Sequence, residues 1–572
     1  MEKVLKQYLR PYYRRMAVGF IIKFIGCIMD LFLPWILAYM IDTIIPQRDK
    51  MMIYRWGMLM LVCSIFAITF NIIANRMASK VAMDATWHIR NDLFEKVMYL
   101  SSKSVDEYTK PSLIARLTSD TYNVHQAIGR MQRLGVRAPI LLLGGIAVTM
   151  TLDPALSCVL IATLPILAWI MFSISKVSIP IYNKLQEAVD KFVMIVREDI
   201  SGIRVIKALS KEQDECARFD KINKNVIGYE KHSGMVMAAI DPTVNLIMNM
   251  ALVGVLIVGA VRVERGLTQV GKILAFMTYF TIILNAMISI SKMFVIMSKA
   301  VASADRITMI LDTSSDLKTI VEKELRDEDY HLVFDHVSFS YHEEKHKGQE
   351  AAMHLSDISF KLKRGETIGI LGGTGAGKST MINLMLRFYD VSKGRILLDG
   401  KDIRALPIEG LRQQFGVTFQ NDMIFEDTIL ENVRLGRALT NEQVQQALLY
   451  AKAKEFVDEK KGSISEALAV KGANLSGGQK QRILIARALA DHPPILILDD
   501  ASSALDYKTD ALLRQALREH FQGTTKIIVA QRISSIMHAD HIIVLEDGRM
   551  IGSGTHEELM ESCKAYQQIS AS

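Results

Sequence analysis

The sequence has few cysteines, five among 572 residues, and their spacing matches neither a disulfide framework nor a metal site. Cys27, Cys63, Cys158, Cys216 and Cys563 are scattered along the chain, and some of them lie in apolar stretches. The pattern therefore argues against a disulfide-stabilised secreted domain and against a cysteine-ligated metal centre. We expect free thiols in a membrane or in a reducing cytoplasm.

A large excess of charge of one sign is also lacking. The formal net charge of +7 is compatible with nucleic-acid binding, but basic cytoplasmic loops of a membrane protein give the same sum, so the total does not decide between them. We also predict no cleavable signal peptide, because the basic, amphipathic stretch MEKVLKQYLRPYYRRM precedes an apolar run long enough to span a bilayer. We expect this first span to remain in the mature protein.

Long apolar segments, by contrast, fill the first half of the chain. Half of all residues are hydrophobic (50%), and the mean hydropathy of +0.19 is high for a soluble protein. Each of six segments approaches the roughly 20 residues that a helix needs to cross a bilayer. They are 16–42, 56–78, 136–153, 155–176, 236–262 and 271–298.

The basic residues indicate how these segments are oriented. Lys and Arg precede the first segment and are frequent in the two polar stretches of roughly 55 residues that follow the second and fourth segments. The positive-inside rule places the N-terminus and both long loops in the cytoplasm. Six crossings then return the chain to the cytoplasmic side.

Three regions follow from this pattern. Residues 1–311 form a membrane domain of six helices with two long cytoplasmic loops, and the charged, unpatterned residues 312–331 form a linker. In 332–572, short β-branched runs such as GETIGILG and ILILDD alternate with helical segments, which predicts an α/β domain. The predicted fold class is thus an α-helical membrane domain followed by an α/β P-loop domain.

The first functional motif of the second domain is a phosphate-binding loop. GGTGAGKST fits G-x-x-x-x-G-K-[ST] between a predicted strand and a predicted helix, the context that this motif requires. Its residues are Gly372, Gly373, Thr374, Gly375, Ala376, Gly377, Lys378, Ser379 and Thr380. Backbone N–H groups and Lys378 would hold the phosphates of ATP, while Ser379 and Asp499, the first aspartate of ILILDD, would hold Mg²⁺.

The segment LSGGQKQR, Leu475 to Arg482, follows about 100 residues later. Ser476 stands at the expected N-cap of the helix that this segment begins. With these motifs and six preceding spans, the whole chain resembles the ATP-binding cassette (ABC) transporters, and in particular an exporter-type half-transporter. The resemblance implies that the signature residues of one subunit close over the γ-phosphate bound to the other; here they are Ser476, Gly477, Gly478 and Gln479.

Further roles are implied by the resemblance alone. Tyr341 matches the aromatic residue that stacks on adenine, although a surface or core tyrosine is an alternative. Gln420 matches the glutamine that contacts Mg²⁺ and senses the membrane domain, and Asp506 matches the aspartate of a loop at the dimer interface. KPSLIARLTSDT and SGIRVIKALSKE resemble the intracellular loops whose coupling helices transmit motion; solvated amphipathic helices are the alternative.

Three positions depart from the family pattern. Asp500 stands where efficient cassettes carry the glutamate that orients the attacking water, and a displacement near 1 Å can cost on the order of 10²-fold in rate. Gln531 replaces a histidine that contacts the γ-phosphate, and glutamine cannot carry a proton or a positive charge. Val470 replaces an expected glutamate before the signature.

The first two departures fall on the groups expected to act on the water and the γ-phosphate, while the nucleotide-holding motifs stay intact; the third affects an expected contact between domains. We therefore predict the degenerate-site subunit of a heterodimeric bacterial multidrug ABC exporter, in the inner membrane, whose partner half-transporter has the catalytic Glu and His. An ATP-gated channel or channel regulator, and a homodimer with two slow sites, are the alternatives. No nucleic-acid partner is expected.

Polar residues within the spans are candidates for the substrate path, since charge inside a membrane is costly and often functional. We expect a small amphipathic or hydrophobic substrate, by family analogy. The candidates are Lys23, Asp30, Asn71, Asp241, Asn245, Asn249 and Asn285, with Asp30 and Asp241 preferred.

Overall fold

A computed structural model describes residues 2–314, 316–317, 319–320, 329–341 and 353–571. The chain divides into two compact units. The first, the membrane unit, comprises 1–99 and 110–313, and the second, the cassette unit, comprises 100–109 and 314–572. The predicted linker, 312–331, lies partly outside the described residues.

Long helices make up the membrane unit. Its helices, with α4 of the cassette unit at its place in the chain, are α1 Glu2–Leu9, α2 Tyr13–Tyr39, α3 Lys50–Met98, α4 Ser102–Tyr108, α5 Lys110–Ala115, α6 Thr121–Leu152, α7 Pro154–Ala208, α8 Glu212–Ala238, α9 Ile240–Glu264 and α10 Val270–Leu311. Short 3-10 and π segments join some of them.

The helices account for the predicted membrane spans. Among the described residues, five helical stretches are long and apolar enough to cross a bilayer, and a sixth, Pro154–Ile170, is apolar but shorter. The connection between the third and fourth segments is short: Asp153 follows α6 and caps α7 by accepting hydrogen bonds from the N–H groups of Ala155 and Leu156. α7 starts with a proline, which has no backbone N–H, so no donor is left without an acceptor at that position.

The two long cytoplasmic connections are helical, which differs from the predicted loops. α3 continues for 49 residues to Met98, and α7 continues for 55 residues to Ala208 before α8 returns. Their polar parts contain good helix formers and charge pairs one turn apart, such as Lys224 with Asp220 at 2.5 Å. These polar parts extend the helices instead of ending them, and Pro180 lies inside α7 without ending it.

The cassette unit joins two sheets and several helices. Its elements are β1 Leu332–Phe339, β2 Leu355–Leu362, β3 Thr367–Gly372, α11 Lys378–Met385, β4 Lys393–Leu398, β5 Lys401–Asp402, α12 Ile408–Gln413, β6 Phe415–Thr418, α13 Ile429–Arg434, α14 Asn441–Tyr450, α15 Lys454–Asp458, α16 Gly477–Leu489, β7 Ile495–Asp499, α17 Tyr507–His520, β8 Thr525–Ala530, β9 His541–Glu546, β10 Arg549–Gly554, α18 His556–Ser562 and α19 Lys564–Ala571.

The larger sheet has the order β10-β9-β3-β8-β7-β6 and is parallel except at β10. β7 is buried along its whole length, as expected for a strand covered by helices on both faces. The smaller antiparallel sheet has the order β2-β1-β4-β5. The predicted fold class is confirmed, and the carboxyl ends of β3, β7 and β8 meet at one edge of the larger sheet.

Helix α4 belongs to the cassette unit although it precedes α5 in the chain. Ser101 caps α4 by accepting from the Ser104 N–H, and its hydroxyl donates to the Asp316 carboxylate at 2.8 Å. Tyr389 donates a short hydrogen bond to Asp106. The segment that contacts the cassette is thus SKSVDEY, just before the predicted KPSLIARLTSDT.

Candidate nucleotide site

The loop between β3 and α11 has the backbone that phosphate binding needs. Gly375 and Gly377 adopt φ values of +85° and +100°, which disfavour any other residue. A Cβ on Gly377 would also lie 2.7 Å from a Leu355 methyl carbon. The loop therefore presents its N–H groups, and the positive end of α11, without obstruction by side chains.

A cavity of about 560 Å³ lies over this loop. Because neighbouring parallel strands end at the same edge, it gathers residues that lie far apart in the sequence. The predicted residues that line it are Thr374, Gly375, Ala376, Gly377, Lys378, Ser379, Thr380, Gln420, Asp499, Asp500 and Gln531. The structure thus brings together the phosphate loop and the four positions expected to act on Mg²⁺, water and the γ-phosphate.

Lys378 is folded back onto the loop. Its ammonium donates to the carbonyls of Gly372 and Gly373 at 2.7 and 2.8 Å. Burial lowers the pKa of Lys378, and the nearby carboxylates of Asp499 and Asp500 oppose that change. A polyphosphate in the cavity would offer this ammonium stronger, charged acceptors.

Asp499, Ser379 and Gln420 offer the oxygen donors that Mg²⁺ prefers. Burial raises the pKa of Asp499, and the adjacent Asp500 raises it further, while Lys378 and a hydrogen bond from Ser379 act in the opposite direction. The positive charge near Asp499 and Asp500 is therefore too small to balance the two carboxylates. This donor set fits Mg²⁺.

Asp500 has an unusual backbone and several partners. Its φ of +52° is left-handed, and its N–H donates to the Val529 carbonyl at 2.9 Å. Its Oδ2 accepts from the amides of Gln420 and Gln531, each at 3.4 Å, which is the long end of hydrogen-bond geometry. The side chain is thus held beside the cavity by two weak contacts.

The signature residues lie outside the cavity lining. Ser476 caps α16 as predicted, and it forms a capping box with Gln479, with N···O distances of 3.2 and 3.0 Å. Its side chain is exposed. Asp506 is also exposed; it caps α17, and hydrogen bonds from Thr509 lower its pKa.

Tyr341 does not line the cavity. Its ring packs edge-on against His354 at 4.9 Å, and its hydroxyl donates to Thr380 Oγ1 at 3.2 Å. Met353 and His354 line the cavity instead. Adenine stacking on Tyr341 therefore stays a prediction.

Two residues that support the site were not predicted from the sequence. Gln481 donates to the Asp500 carbonyl at 3.0 Å and accepts from the Ala504 N–H at 2.9 Å, so it connects α16 to the segment after β7. Arg487 is buried and donates to the Met423 carbonyl at 3.0 Å, close to Gln420 in the chain. An arginine within the apolar run ILIARALA is the signal for the second, since a buried guanidinium requires acceptors.

In the membrane unit, three of the polar candidates are close together. Lys23 donates to Asn75 at 3.0 Å, and Asp30 pairs with Arg137 at 3.1 Å and accepts from Asn71 at 3.4 Å. Asn245, Asn249 and Asn285 are exposed, and the side chain of Asp241 lies outside the described residues. Arg137 was not among the predicted residues, although it begins an apolar segment.

Two family models match the chain. One describes an ABC transporter transmembrane region and matches residues 16–287. The other describes an ABC transporter and matches residues 355–503, which include the phosphate loop, the signature and β7.

Relatives and a solved structure match over almost the full length. An uncharacterized ABC transporter ATP-binding protein, YfiB, of Bacillus subtilis is 33% identical over 100% of this chain and 98% of its own. An uncharacterized ABC transporter ATP-binding protein, Mb1304c, of Mycobacterium bovis is 31% identical over 100% and 97%. The structure of a bacterial Atm1-family ABC exporter with ATP bound matches with a TM-score of 0.82 and 23% identity, covering 98% of each chain.

Proposed function

The chain belongs to the ABC transporters as an exporter-type half-transporter, and we propose that it pairs with a different half-transporter to export amphipathic or hydrophobic compounds. Such exporters act as dimers in a membrane, with the ATP-binding domain in the cytoplasm. In the proposed pair, this chain's own site binds ATP and hydrolyses it slowly. Its LSGGQ signature completes the competent site of the partner.

The environment of Asp500 is the main support for slow hydrolysis at this site. A carboxylate that activates water must accept a proton, and hydrogen bonds to the charged form make it a weaker base. Both Gln420 and Gln531 donate to the same oxygen of Asp500. Aspartate is also one methylene shorter than glutamate, so the carboxylate stands farther from a water at the γ-phosphate.

The residues that hold nucleotide are complete, which is why we propose slow turnover instead of loss of binding. Backbone donors of the loop and the Lys378 ammonium bind the phosphates. Ser379, Gln420 and Asp499 would hold Mg²⁺, which neutralises phosphate charge when it is bound. Gln531 can donate a hydrogen bond to the γ-phosphate but cannot supply a positive charge there.

Exposure of the signature supports action across a dimer. The capping box stabilises the start of α16, yet the Ser476 side chain does not reach this chain's own cavity. A rigid, positive helix end that is exposed suits an anion supplied from outside the chain. In the proposed pair, that anion is the γ-phosphate in the partner's site.

The turn between α7 and α8 also supports a partner. Ile200, Val205 and Leu209 are 69%, 62% and 65% exposed there. These residues belong to the segment SGIRVIKALSKE and its approach, which resembles an intracellular loop of the family. Apolar side chains clustered on a helical turn are typical of a docking surface, and the proposal assigns this one to the partner's ATP-binding domain.

The experiment is purification of the tagged chain from its native membrane, followed by mass spectrometry and nucleotide trapping. Recovery of a second half-transporter with Glu and His at the two altered positions, together with trapping mainly in that partner, is the expected result. Recovery of this chain alone, as a dimer, would contradict the heterodimer. An ohmic current on ATP addition, without uphill efflux of a dye from vesicles, would contradict the exporter.

A further inference from the structure

A groove of about 610 Å³ runs between α2 and α6 in the membrane unit. Apolar side chains line it along most of its length, among them Phe24, Phe32 and Trp35 from α2 and Ile140 and Leu143 from α6. Its volume is within the range of pockets that bind single small molecules, about 300–1,000 Å³. The groove therefore suits one apolar chain or ring system.

The ends of the groove differ. Trp35 stacks on Tyr39 at 5.8 Å, and Tyr39 lies 4.8 Å from Trp56, which is the aromatic clustering typical of a membrane interface. Since α2 starts on the cytoplasmic side, these rings mark the outer end. Phe24 marks the inner end, and there the charged residues begin.

None of the residues that line the groove is charged, but three cations and one carboxylate are near its inner lining residues in the chain, with Lys23 next to Phe24 and Arg137 two residues before Pro139. Arg137 pairs with Asp30, whereas Lys23 is bonded to the neutral Asn75 and Arg133 to the Gly129 carbonyl. The charges of Asp30, Arg133 and Arg137 all act on the Lys23 ammonium. Among the contacts described for these side chains, Asp30 is the one carboxylate, so the two arginines alone leave the cluster with an excess of at least one positive charge.

The cluster is also incomplete as a hydrogen-bond network. Within the described part of the chain, Arg137 Nε has no acceptor, although its atom is buried. The remainder of the Arg137 side chain is accessible, at 43% exposure, whereas Lys23 is 3% exposed. The buried Nε is not itself accessible to a ligand, but the accessible part of the guanidinium can bind a carboxylate or a phosphate in addition to Asp30.

The depth of the cluster makes it costly unless a ligand uses it. Lys23 follows Arg15 by eight residues, so it lies about 12 Å farther along the helix axis, and Asp30 lies deeper still. Uncompensated cations at that depth are expensive in a bilayer. A negatively charged group bound beside Arg137 would remove most of that cost.

We propose that the α2–α6 groove binds a single-chain amphipathic anion, with its apolar part along the groove and its carboxylate, phosphate or sulfonate on Arg137. This inference rests on the proposed function and narrows its substrate class from amphipathic compounds to anionic ones. The volume favours a transported small amphiphile over a two-chain phospholipid. Lys23 and Arg133 contribute charge, and Asp30 competes with the ligand for Arg137.

The test measures binding by the full transporter, purified with its partner, in the absence of ATP. The probes are fluorescent dodecanoate, a dodecyl quaternary ammonium with the same fluorophore, and the neutral dodecyl amide. Arg137→Gln is expected to weaken dodecanoate binding by about 10-fold or more, the loss typical of one charge-assisted hydrogen bond. Binding of the cationic probe is expected to stay the same or improve.

Asp30→Asn separates a binding site from a structural ion pair. If Asp30 competes with the ligand, this variant binds dodecanoate more tightly than the unmodified protein. If the pair only joins α2 to α6, Asp30→Asn weakens the binding of all three probes, and that result overturns the proposal. Arg130→Gln, an exposed arginine on the same helix, is the matched control and should change nothing.

Three further outcomes distinguish a failure of this inference from a failure of the proposed function. Competition by phosphatidylglycerol vesicles, but not by phosphatidylcholine vesicles, would identify a lipid site and overturn the assignment to a transported amphiphile. ATP-driven uptake of the cationic probe into inverted vesicles, without dodecanoate binding, would reject this inference and leave the exporter intact. Dodecanoate binding that depends on Arg137, without ATP-driven uptake of any probe, supports the site and rejects the proposed function.

Discussion

The Gln531 side-chain amide donates from Nε2 to Asp500 Oδ2 over 3.4 Å. A histidine at position 531 could carry a positive charge at the γ-phosphate, whereas the amide is neutral at every pH of interest. Glutamine instead directs a donor at the carboxylate that should accept a proton from water. Asp500 and Gln531, two of the three departures from the family pattern, are therefore in contact, and in the proposed function both affect the hydrolysis step.

Restoring both residues should accelerate hydrolysis at this site. Asp500→Glu with Gln531→His extends the carboxylate by one methylene and replaces the neutral donor, and we expect turnover to rise on the order of 10-fold or more. The measurement is nucleotide trapping in each chain of the purified dimer. The same pair combined with Lys378→Ala is the control, and it should remove the gain. Unchanged trapping in this chain would contradict the assignment of a weakened site.

Ser476→Arg should impair the partner's site more than this chain's own. The change puts a bulky side chain at the exposed end of α16 and removes the hydroxyl of the capping box. Site-resolved trapping should show a loss of about 10-fold or more at the partner's site. Lys480→Arg, which preserves charge in the same helix, is a matched control. An equal loss at both sites would mean that the signature does not act in trans.

Asp499→Asn should stabilise the nucleotide-free protein at neutral pH. Burial and Asp500 raise the pKa of Asp499 above its unfolded value, so the folded state binds this proton more tightly. Stability therefore falls as pH rises from the ordinary aspartate pKa through the raised one, and the cost is fully present above it. A gain of 1 kcal/mol would raise the melting temperature by about 2–4 °C. The variant should also lose the added stability that Mg²⁺-ATP gives the unmodified protein.

Asp506→Asn is a control for which we expect the opposite change in stability. Hydrogen bonds from Thr509 lower the pKa of Asp506, so its stabilising contribution is present above its unfolded pKa and is lost as pH falls through the folded one. This variant should melt slightly lower at neutral pH, with no change in Mg²⁺ dependence. If both variants shift in the same direction, the burial argument for Asp499 is wrong.

Tyr389→Phe should reduce coupling between ATP use and transport. Tyr389 donates to Asp106 of α4, and burial and that carboxylate raise its pKa, so the hydroxyl keeps its proton at neutral pH. We expect substrate-stimulated ATPase and transport to fall several-fold, with ATP affinity unchanged. Asp106→Asn in the Tyr389→Phe background should add little, because the two residues share one interaction. Tyr507→Phe, at an exposed tyrosine, is the control.

Most residues that line the candidate site could be named from the sequence because they belong to local motifs. The phosphate loop lies between a strand and a helix, and Ser476 caps α16, as local propensity requires. Gln481 and Arg487 were not predicted, since their roles depend on acceptors contributed by segments distant in the chain. No propensity rule identifies which distant carbonyl a side chain will reach.

The membrane unit shows the same limit. Apolar length located the spans, but it could not show that their polar continuations stay helical to Met98 and Ala208. Polarity singled out Lys23 and Asp30, whereas Arg137 became relevant only when α6 was placed beside α2. Interhelical partners follow from packing, and packing is not a property of one segment.

The assignment of residues 100–109 to the cassette unit affects how this chain can be recombined with its relatives. A chimera cut at the boundary near residue 313 would combine a foreign cassette with the native α4, so that Ser101 and Asp106 would face a cassette without their partners Asp316 and Tyr389. A chimera that keeps its transport activity should require α4 to be replaced together with the cassette, as a second, separate insert. The unit of inheritance for this half-transporter is thus a pair of segments more than 200 residues apart, and variation at Asp106 should accompany variation at Tyr389.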